Sequence, residues 1–278
     1  MGQHRKIVPL VIVNFSLHPN PNTKNLCNQK HFLMIKNIIS LAFLFFLTLS
    51  YGQQAIGPNN NPFDSTWIKD ENYTMKWLVL QDTISHELGE VSTNIQQKGD
   101  KLILITLVAM PQLTEPWVDS TIVKLKDLTP LYHSSYNQNR DMVIHFEDRV
   151  TGYYHDKKTG KKTELDQEQE ASFFDSNSYP YLIRWLPLEE GYEQVISIFD
   201  FNPNTQTGVI TATIKAVDSE VMEIDGQSKE VWKVQVTDDI SNNQMPSYYY
   251  IDKKSRTLLK QEIEMPGRRM VMERVDFK

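Results

Sequence analysis

The sequence predicts a mostly β protein, with a single strongly curved antiparallel sheet or open barrel and one short helix. About ten to twelve short segments show the alternation or the continuous apolar run that is typical of β-strands, and turn residues separate them. Helical spacing occurs in only one region, so helices are too few to cover both faces of a parallel sheet.

Residues 34–52 have the three parts of a secretory signal peptide. Lys36 provides the basic start, and residues 38–49 are apolar except for two hydroxyl residues. Ser50 and Gly52 are the small residues that precede a cut. A membrane-spanning helix is the alternative, but it needs about 20 apolar residues and this run is shorter. We therefore expect cleavage after Gly52, export to the periplasm or the extracellular space, and no membrane span in the mature chain.

The segments on either side of this signal carry little fold information. Residues 1–33 are interpreted as a mis-assigned start, with an extended leader as the alternative. Residues 53–61 are polar and rich in turn residues, so we expect a flexible linker there. Residues 62–278 contain no internal repeat and are expected to form a single β-rich domain that is large enough to fold without cross-links.

Removal of residues 1–52 changes the charge of the protein. That segment contains five of the 29 basic residues and none of the 35 acidic ones, so the mature chain keeps 24 basic residues and has a formal charge of −11. Such a surface repels phosphate backbones, so nucleic acid is not an expected partner. Cys27 is the single cysteine, and its removal excludes disulfides and thiolate catalysis from the mature chain.

The first half of the domain is predicted to be a meander. Alternation around Trp77 and a run of aliphatic residues at 101–110 are typical of strands with one or both faces buried. The predicted strands are Thr74–Gln81, Lys101–Met110, Thr121–Leu125, Leu131–Tyr136 and Met142–Phe146, followed by a hairpin of Tyr153–His155 and Lys161–Leu165.

Residues 166–185 are the only region with helical spacing, since apolar residues follow one another at positions 179, 182, 183 and 186. Asp175 or Ser178 is expected to cap the start of the helix, and Pro187 to end it.

Strands resume at residue 194 and continue to the C-terminus. Residues 208–217 alternate strictly, so Ile210, Ala212, Ile214 and Ala216 are predicted to share one face. Alanines on that face leave space that larger side chains would fill, so we expect an apolar pocket between this face and the helix. The other predicted strands are Gln194–Phe201, Val221–Ile224, Glu230–Thr237, Ser247–Ile251, Thr257–Met265 and Arg268–Phe277.

Two sequence patterns resemble metal sites, and both are incomplete. His86 and Glu87 begin a zinc-protease motif, but Glu90 stands where the second histidine is required. Residues 200–204 begin like a calcium loop, yet Thr205 replaces the turning glycine and Thr211 the closing glutamate.

Catalytic signals are also absent from the sequence. His133, His145 and His155 lie on predicted strands, where they either converge on one site or have separate structural roles. The chain contains no Gly-x-Ser-x-Gly elbow and no phosphate-binding glycine loop. We therefore predict no catalytic residue, no metal site and no cofactor.

Three consecutive tyrosines, residues 248–250, are a further feature. Because successive strand residues point to opposite faces, Tyr249 and its two neighbours cannot all lie in one core. One face of this strand therefore either carries a tyrosine at the surface or lines a cavity.

Two stretches, "SYPYLIRWLPLEEGYEQVISIFD" and "VTDDISNNQMPSYYYIDKKSRTLLKQEIEM", resemble a family of exported bacterial proteins of unknown function. This family is similar in architecture to the periplasmic lipoprotein carriers, in which a bent sheet half-wraps a helix and shelters acyl chains. The resemblance covers about the second half of the mature chain and implies a half-open barrel. It singles out Arg184, which either anchors the helix to a sheet carboxylate or contacts a ligand head group.

The sequence leaves three functions open. The first is a non-enzymatic cell-envelope protein that binds a lipid or another apolar ligand. The second is a structural or interaction protein with a filled core, and the third is a hydrolase whose site follows no sequence pattern. A cavity would distinguish the first from the second, and titratable groups converging in it would indicate the third. The candidate ligand contacts are Arg184, Trp185, Ile210, Ala212, Ile214, Ala216 and Tyr249.

Overall fold

Apolar and polar residues alternate through most of the chain, and the resulting strands form one fifteen-stranded sheet. The computed structural model describes residues 54–169, 171–224 and 226–275. The first half of this region forms β1 (Glu71–Gln81), β2 (Ile84–Lys98), β3 (Lys101–Ala109), β4 (Trp117–Lys124), β5 (Pro130–Tyr136), β6 (Arg140–Phe146), β7 (Arg149–Asp156) and β8 (Lys162–Glu168). The second half forms β9 (Phe174–Asp175), the helix α1 (Tyr179–Trp185), β10 (Gln194–Phe201), β11 (Thr207–Ile224), β12 (Gln227–Asp238), β13 (Ser247–Asp252), β14 (Leu258–Met265) and β15 (Arg268–Arg274).

Strand order follows the chain in two meanders. β1 lies in the middle of the sheet beside β15, and β1 to β8 run outward from it to one edge. The chain then continues at the opposite edge with β9 and returns through β10 to β15. Neighbouring strands pair antiparallel, whereas the two-residue β9 pairs parallel with β10. The predicted fold class is confirmed, although the number of strands exceeds the predicted ten to twelve.

The two ends of the sheet overlap. β10 is buried on both faces, because Ile198 packs in the main core while Phe199 and Phe201 pack in a second, smaller core. The ring of Phe199 lies 5.8 Å from that of Phe146 on β6, and the ring of Phe201 lies 6.3 Å from that of Tyr154 on β7. The strands at one edge of the sheet therefore cover the outer face of β10, and the second core fills the space between the two layers.

The helix α1 packs on the inner face of the sheet, where Leu182 and Ile183 are completely buried. It is shorter than the predicted helical region, because the chain up to Glu168 continues β8 and residues 174–175 form β9. The predicted side-chain cap is absent. The hydroxyl of Ser178 donates to the backbone carbonyl of residue 175 and accepts no hydrogen bond from the N–H groups of the first turn. In the described part of the chain, no helix has the length and apolar character needed to cross a bilayer.

Residues 54–61 differ from the predicted flexible linker. Ile56 is buried and bridges to β10: its N–H donates to the Val195 carbonyl at 2.9 Å, and the Ser197 N–H donates to the Ile56 carbonyl at 2.9 Å. Pro58–Asn60 form a 3-10 turn. One aliphatic side chain and two backbone hydrogen bonds thus hold a segment whose composition looks like a linker. The predicted signal peptide and the segment before it lie outside the described residues.

Candidate ligand-binding site

A largely apolar cavity of about 290 Å³ lies between α1 and the inner face of the sheet. Its walls come from β1 to β4, from β13 to β15, and from Pro180, Tyr181 and Arg184 of α1. Some wall residues, including Trp117 and Gln261, are only half-buried, so the cavity reaches the surface. An apolar hollow with a few polar groups in its wall is the usual form of a site for a small ligand.

A second depression, of about 470 Å³, lies elsewhere on the protein. Its lining is mostly polar and includes Glu147, Asp148 and Ser172. It offers little apolar surface, so the smaller cavity beside α1 is the better candidate for binding an apolar ligand.

Strand alternation and one bulge determine the β1 wall of the cavity. Tyr73, Met75 and Trp77 are every second residue of β1, and all three line the cavity. Trp77 pairs with Gly89 of β2, next to the point where the ladder shifts register. Gly89 has a φ of 155°, and a Cβ there would lie 2.0 Å from the carbonyl oxygen of Ala109, so this close approach requires glycine.

Arg184 connects α1 to β1 through a bidentate ion pair with Glu71. Its Nη2 lies 2.8 Å from Oε1 of Glu71, and its Nη1 lies 3.2 Å from Oε2. The side chains are 2% and 16% exposed, respectively. Of the two predicted roles of Arg184, the structure thus shows the anchor to a sheet carboxylate, and it also places this residue in the cavity wall.

Two residues of the wall each carry a buried N–H donor that has no hydrogen-bond acceptor among the described residues. These donors are Nε of Arg184 and Nε1 of Trp77. The hydroxyls of two other wall residues, Thr106 and Tyr181, pair with each other at 2.9 Å. Burial raises the pKa of Tyr73, of Tyr181 and of Tyr249, so these phenols are neutral at physiological pH.

The structure places the predicted ligand contacts in two groups. Arg184 and Tyr249 line the cavity. Trp185, Ile210, Ala212 and Ile214 lie in the main core, and Ala212 has no exposed surface. The space expected beside these residues is therefore occupied by core packing, and the cavity lies next to residues 180, 181 and 184 of α1 instead.

Ala216 does not share the face of Ile210, Ala212 and Ile214, so this part of the prediction is wrong. β11 has a bulge between Ile214 and Ala216, which adds a residue and reverses the alternation. As a result Val217 is buried and Ala216 is only half-buried.

The three tyrosines of β13 divide between the two faces as predicted. Tyr249 lines the cavity, whereas Tyr248 and Tyr250 lie on the opposite face in a small cluster with Val231 and Leu259. Strand period alone decides this division.

A buried polar network runs from the cavity wall to His133. Nδ2 of Asn177, a wall residue, donates to Oγ1 of Thr121 at 2.9 Å, and that hydroxyl donates to Oδ2 of Asp175 at 3.0 Å. Nδ1 of His133 lies 2.9 Å from Oδ1 of Asp175. Sequence reasoning missed this pairing, because the two residues are 42 positions apart on different meanders.

The His133–Asp175 pair is buried. His133 is 5% exposed and Asp175 has no exposed surface. Burial lowers the pKa of His133, and the charge of Arg140 also lowers it. The Asp175 carboxylate, together with Asp119, outweighs both effects, so the pKa of His133 is raised.

Replacing His133 with Asn is expected to destabilise the protein more at acidic than at alkaline pH. The folded-state pKa of His133 is raised above its unfolded value of about 6.5. The ion pair therefore adds its full contribution to the free energy of unfolding below the unfolded pKa, and this contribution is lost as the pH rises through the folded-state pKa. Urea unfolding of both proteins between about pH 5 and pH 9 measures the difference. A difference that stays constant across this range would contradict an ionised pair.

Of the two alternatives for His133, His145 and His155, the structure shows separate positions and no common site. His145 is exposed and its ring packs 5.4 Å from that of Tyr132, while His133 points into the interior. His155 is half-buried beside Asp141. Over the described ranges, no group of three or more His, Cys, Asp or Glu side chains is placed to hold a metal ion.

Comparisons with known proteins find one matching family model and similar solved structures. A family model described as "Protein of unknown function (DUF3108)" matches residues 72–273. No curated protein matches this chain. Two solved structures are similar to it: a β-barrel-like protein of the DUF1849 domain of unknown function from Brucella abortus, and a DUF1329 family protein from Desulfovibrio piger. The first has 10% identity and a TM-score of 0.46 over 73% of this chain and 95% of that one. The second has 9% identity and a TM-score of 0.26 over 78% of this chain and 92% of that one.

Proposed function

Because this chain belongs to the DUF3108 family of proteins of unknown function, its activity has to be argued from its own cavity, and we propose that it is a non-enzymatic binding protein for an apolar ligand such as a lipid acyl chain. The predicted resemblance to a β-rich family of unknown function is confirmed by this membership. We also propose that the protein works in the cell envelope or outside the cell, on the basis of the signal-like residues 34–52.

The observation that carries the binding proposal is the apolar cavity beside α1. An apolar ligand gains about 0.8 kcal/mol for each methylene that it buries. The cavity volume of about 290 Å³ exceeds that of an engineered cavity of ~150 Å³ that binds benzene. A short acyl chain, or part of a longer one, therefore fits between α1 and β1.

Binding is favoured over hydrolysis by the position of the titratable groups. His133 and Asp175 are an acid–base pair, but neither lines the cavity. Asn177 and Thr121 stand between the cavity and the Asp175 carboxylate. A ligand in the cavity would thus contact neutral side chains and Arg184 before it reached the His133–Asp175 pair.

Replacing Val108 with Trp is expected to weaken binding of an uncharged fluorescent probe, N-phenyl-naphthylamine. Val108 is buried on the inner face of β3 and lines the cavity, so an indole at this position occupies the space that the probe needs. Probe titration should show affinity at least about tenfold weaker than that of the wild type, a loss of about 1.4 kcal/mol.

Leu107→Trp is the matched control for this experiment. Leu107 is the preceding residue of the same strand and is exposed on the opposite face, so the same substitution leaves the cavity open. The proposal fails if the wild type binds no probe, or if the Val108 and Leu107 variants bind it equally well. The first outcome makes a structural protein with a filled core the better account, and the second shows that the probe binds outside this cavity.

A further inference from the structure

The two edges of the sheet differ in whether their backbone groups are paired. On the β10 edge, Ile56 forms backbone hydrogen bonds with Val195 and Ser197, and β9 pairs with the residues that follow, so this edge is covered. On the other edge, β8 pairs with β7, and its backbone groups form no hydrogen bond with any other described residue. β8 is seven residues long and contains neither a proline nor a bulge. It is therefore able to accept a further strand.

The hydrogen bonds of the β7–β8 hairpin determine which groups of β8 are free. The N–H of Asp156 donates to the carbonyl of Lys161 at 2.9 Å, so these residues form the first hydrogen-bonded pair of the hairpin. Such pairs recur at every second residue of an antiparallel ladder, so the backbone groups of Thr163, Leu165 and Gln167 point towards β7. The N–H and C=O groups of the alternate residues point away from β7. These residues are Lys162, Glu164, Asp166 and Glu168.

The same four residues have their side chains on one exposed face of the sheet. Arg149 of β7 pairs there with Asp166 and Glu168. Lys162 pairs with Glu164. Two positive and three negative side chains leave this face with one negative charge, and the carboxylates are 66% to 75% exposed, so a further cation can reach them. Because opposite charges on facing strands stabilise a ladder and like charges destabilise it, β8 favours a strand with basic side chains.

The overlap of the sheet ends indicates what the other face of an added strand would contact. The ring of Phe146 on β6 packs against that of Phe199 on β10. Two strands further along, a Cβ on Gly208 of β11 would lie 3.9 Å from Oε1 of Gln167 on β8. The covering layer thus advances from β10 to β11, and a strand beyond β8 would lie over the outer face of β11. Val209 is 46% exposed on this face, so the added strand needs apolar side chains there.

We propose that the β8 edge binds an extended segment of a partner protein by strand addition, and that basic and apolar side chains alternate along this segment. Its backbone pairs with the free groups of Glu164 and Asp166. Its basic side chains face the exposed carboxylates, and its apolar side chains cover Val209. In such a complex the main-chain hydrogen bonds provide affinity and the alternate side chains provide specificity. A second copy of this chain fits less well, because pairing β8 with itself doubles the negative charge of the face.

Hydrogen exchange measured by NMR tests the free edge and the partner together, with a short peptide in which lysine and valine alternate as the probe. In the free protein we expect the amides of Glu164 and Asp166 to exchange at least about tenfold faster than that of Leu165, which faces β7. Saturating peptide should slow the exchange of Glu164 and Asp166 at least about tenfold. Similar exchange at Glu164 and Leu165 in the free protein, or no slowing by the peptide, would overturn the inference.

Two backbone-methylated peptides distinguish strand addition from charge attraction. The lysines of the bound peptide lie opposite Glu164 and Asp166, so N-methylation at the lysines removes the donors that face β8, and N-methylation at the valines changes groups that point away. We expect the first peptide to give no protection and the second to protect like the unmodified one. Equal protection by both would contradict strand addition, and protection that rises with protein concentration alone would assign the edge to a second copy instead.

A charge reversal tests the choice of partner. Glu164→Lys should weaken binding of the unmodified peptide about fivefold, because a lysine of the peptide would then face a like charge. Glu190→Lys is the matched control, since Glu190 is an exposed glutamate in the loop after α1. The proposed basic partner is excluded if the two substitutions weaken binding equally or if neither does.

Discussion

Replacing Glu71 with Ala is expected to lower the free energy of unfolding by about 3 kcal/mol, because the substitution leaves the buried guanidinium of Arg184 without its carboxylate. The value is at the lower end of the range for buried pairs, since Glu71 is still 16% exposed and water partly solvates the site. Urea unfolding at neutral pH measures the change.

Two comparisons make the Glu71 experiment specific. Glu164→Ala removes a carboxylate from an exposed pair with Lys162, in which the side chains are 67% and 53% exposed, and should change stability little. Replacing both buried partners, with Glu71→Leu and Arg184→Met, should restore part of the lost stability, because no buried charge is left unpaired. Equal effects of the Glu71 and Glu164 substitutions would show that the α1–β1 ion pair does not hold the helix.

Replacing Phe199 with Ala is expected to cost about 3–5 kcal/mol, which is the usual range for losing a buried phenylalanine. Phe199 is 2% exposed, and its ring lies 5.8 Å from that of Phe146 and 5.1 Å from that of Phe173. The substitution leaves a void between β10 and the strands that cover it, and thermal or urea unfolding measures the loss.

Tyr136→Ala is the control for the overlap of the two sheet ends. Tyr136 is also an aromatic strand residue, but it is 40% exposed, so its removal should cost much less than that of Phe199. Because Phe146 contacts Phe199, removing both rings should cost less than the sum of the two single substitutions. Similar losses for Phe199 and Tyr136 would contradict the overlap.

The local structure follows from the sequence where a single period decides it. Alternation with a period of two is sufficient to divide Tyr249 from Tyr248 and Tyr250, because successive strand residues must point to opposite faces. The helical spacing of Leu182 and Ile183 similarly predicts the buried face of α1. Sequence and structure differ where one added residue changes the period, as at the bulge before Ala216. They also differ at Ile56, where two backbone hydrogen bonds to β10 hold a polar segment whose composition predicts a flexible linker.

By itself the sequence determined the mostly β character, the single short helix, the meander and the presence of Arg184 on that helix, since each depends on neighbours a few residues apart. The tertiary structure alone decided the overlap of the sheet ends, the Glu71 partner of Arg184, the His133–Asp175 pair and the position of the cavity. Each of these depends on how far the sheet curls, and small twists and bulges added over fifteen strands set that curvature. A change of one residue in a ladder alters which side chains meet across the interior, so the site belongs to the curved sheet as a whole and not to any one segment of the chain.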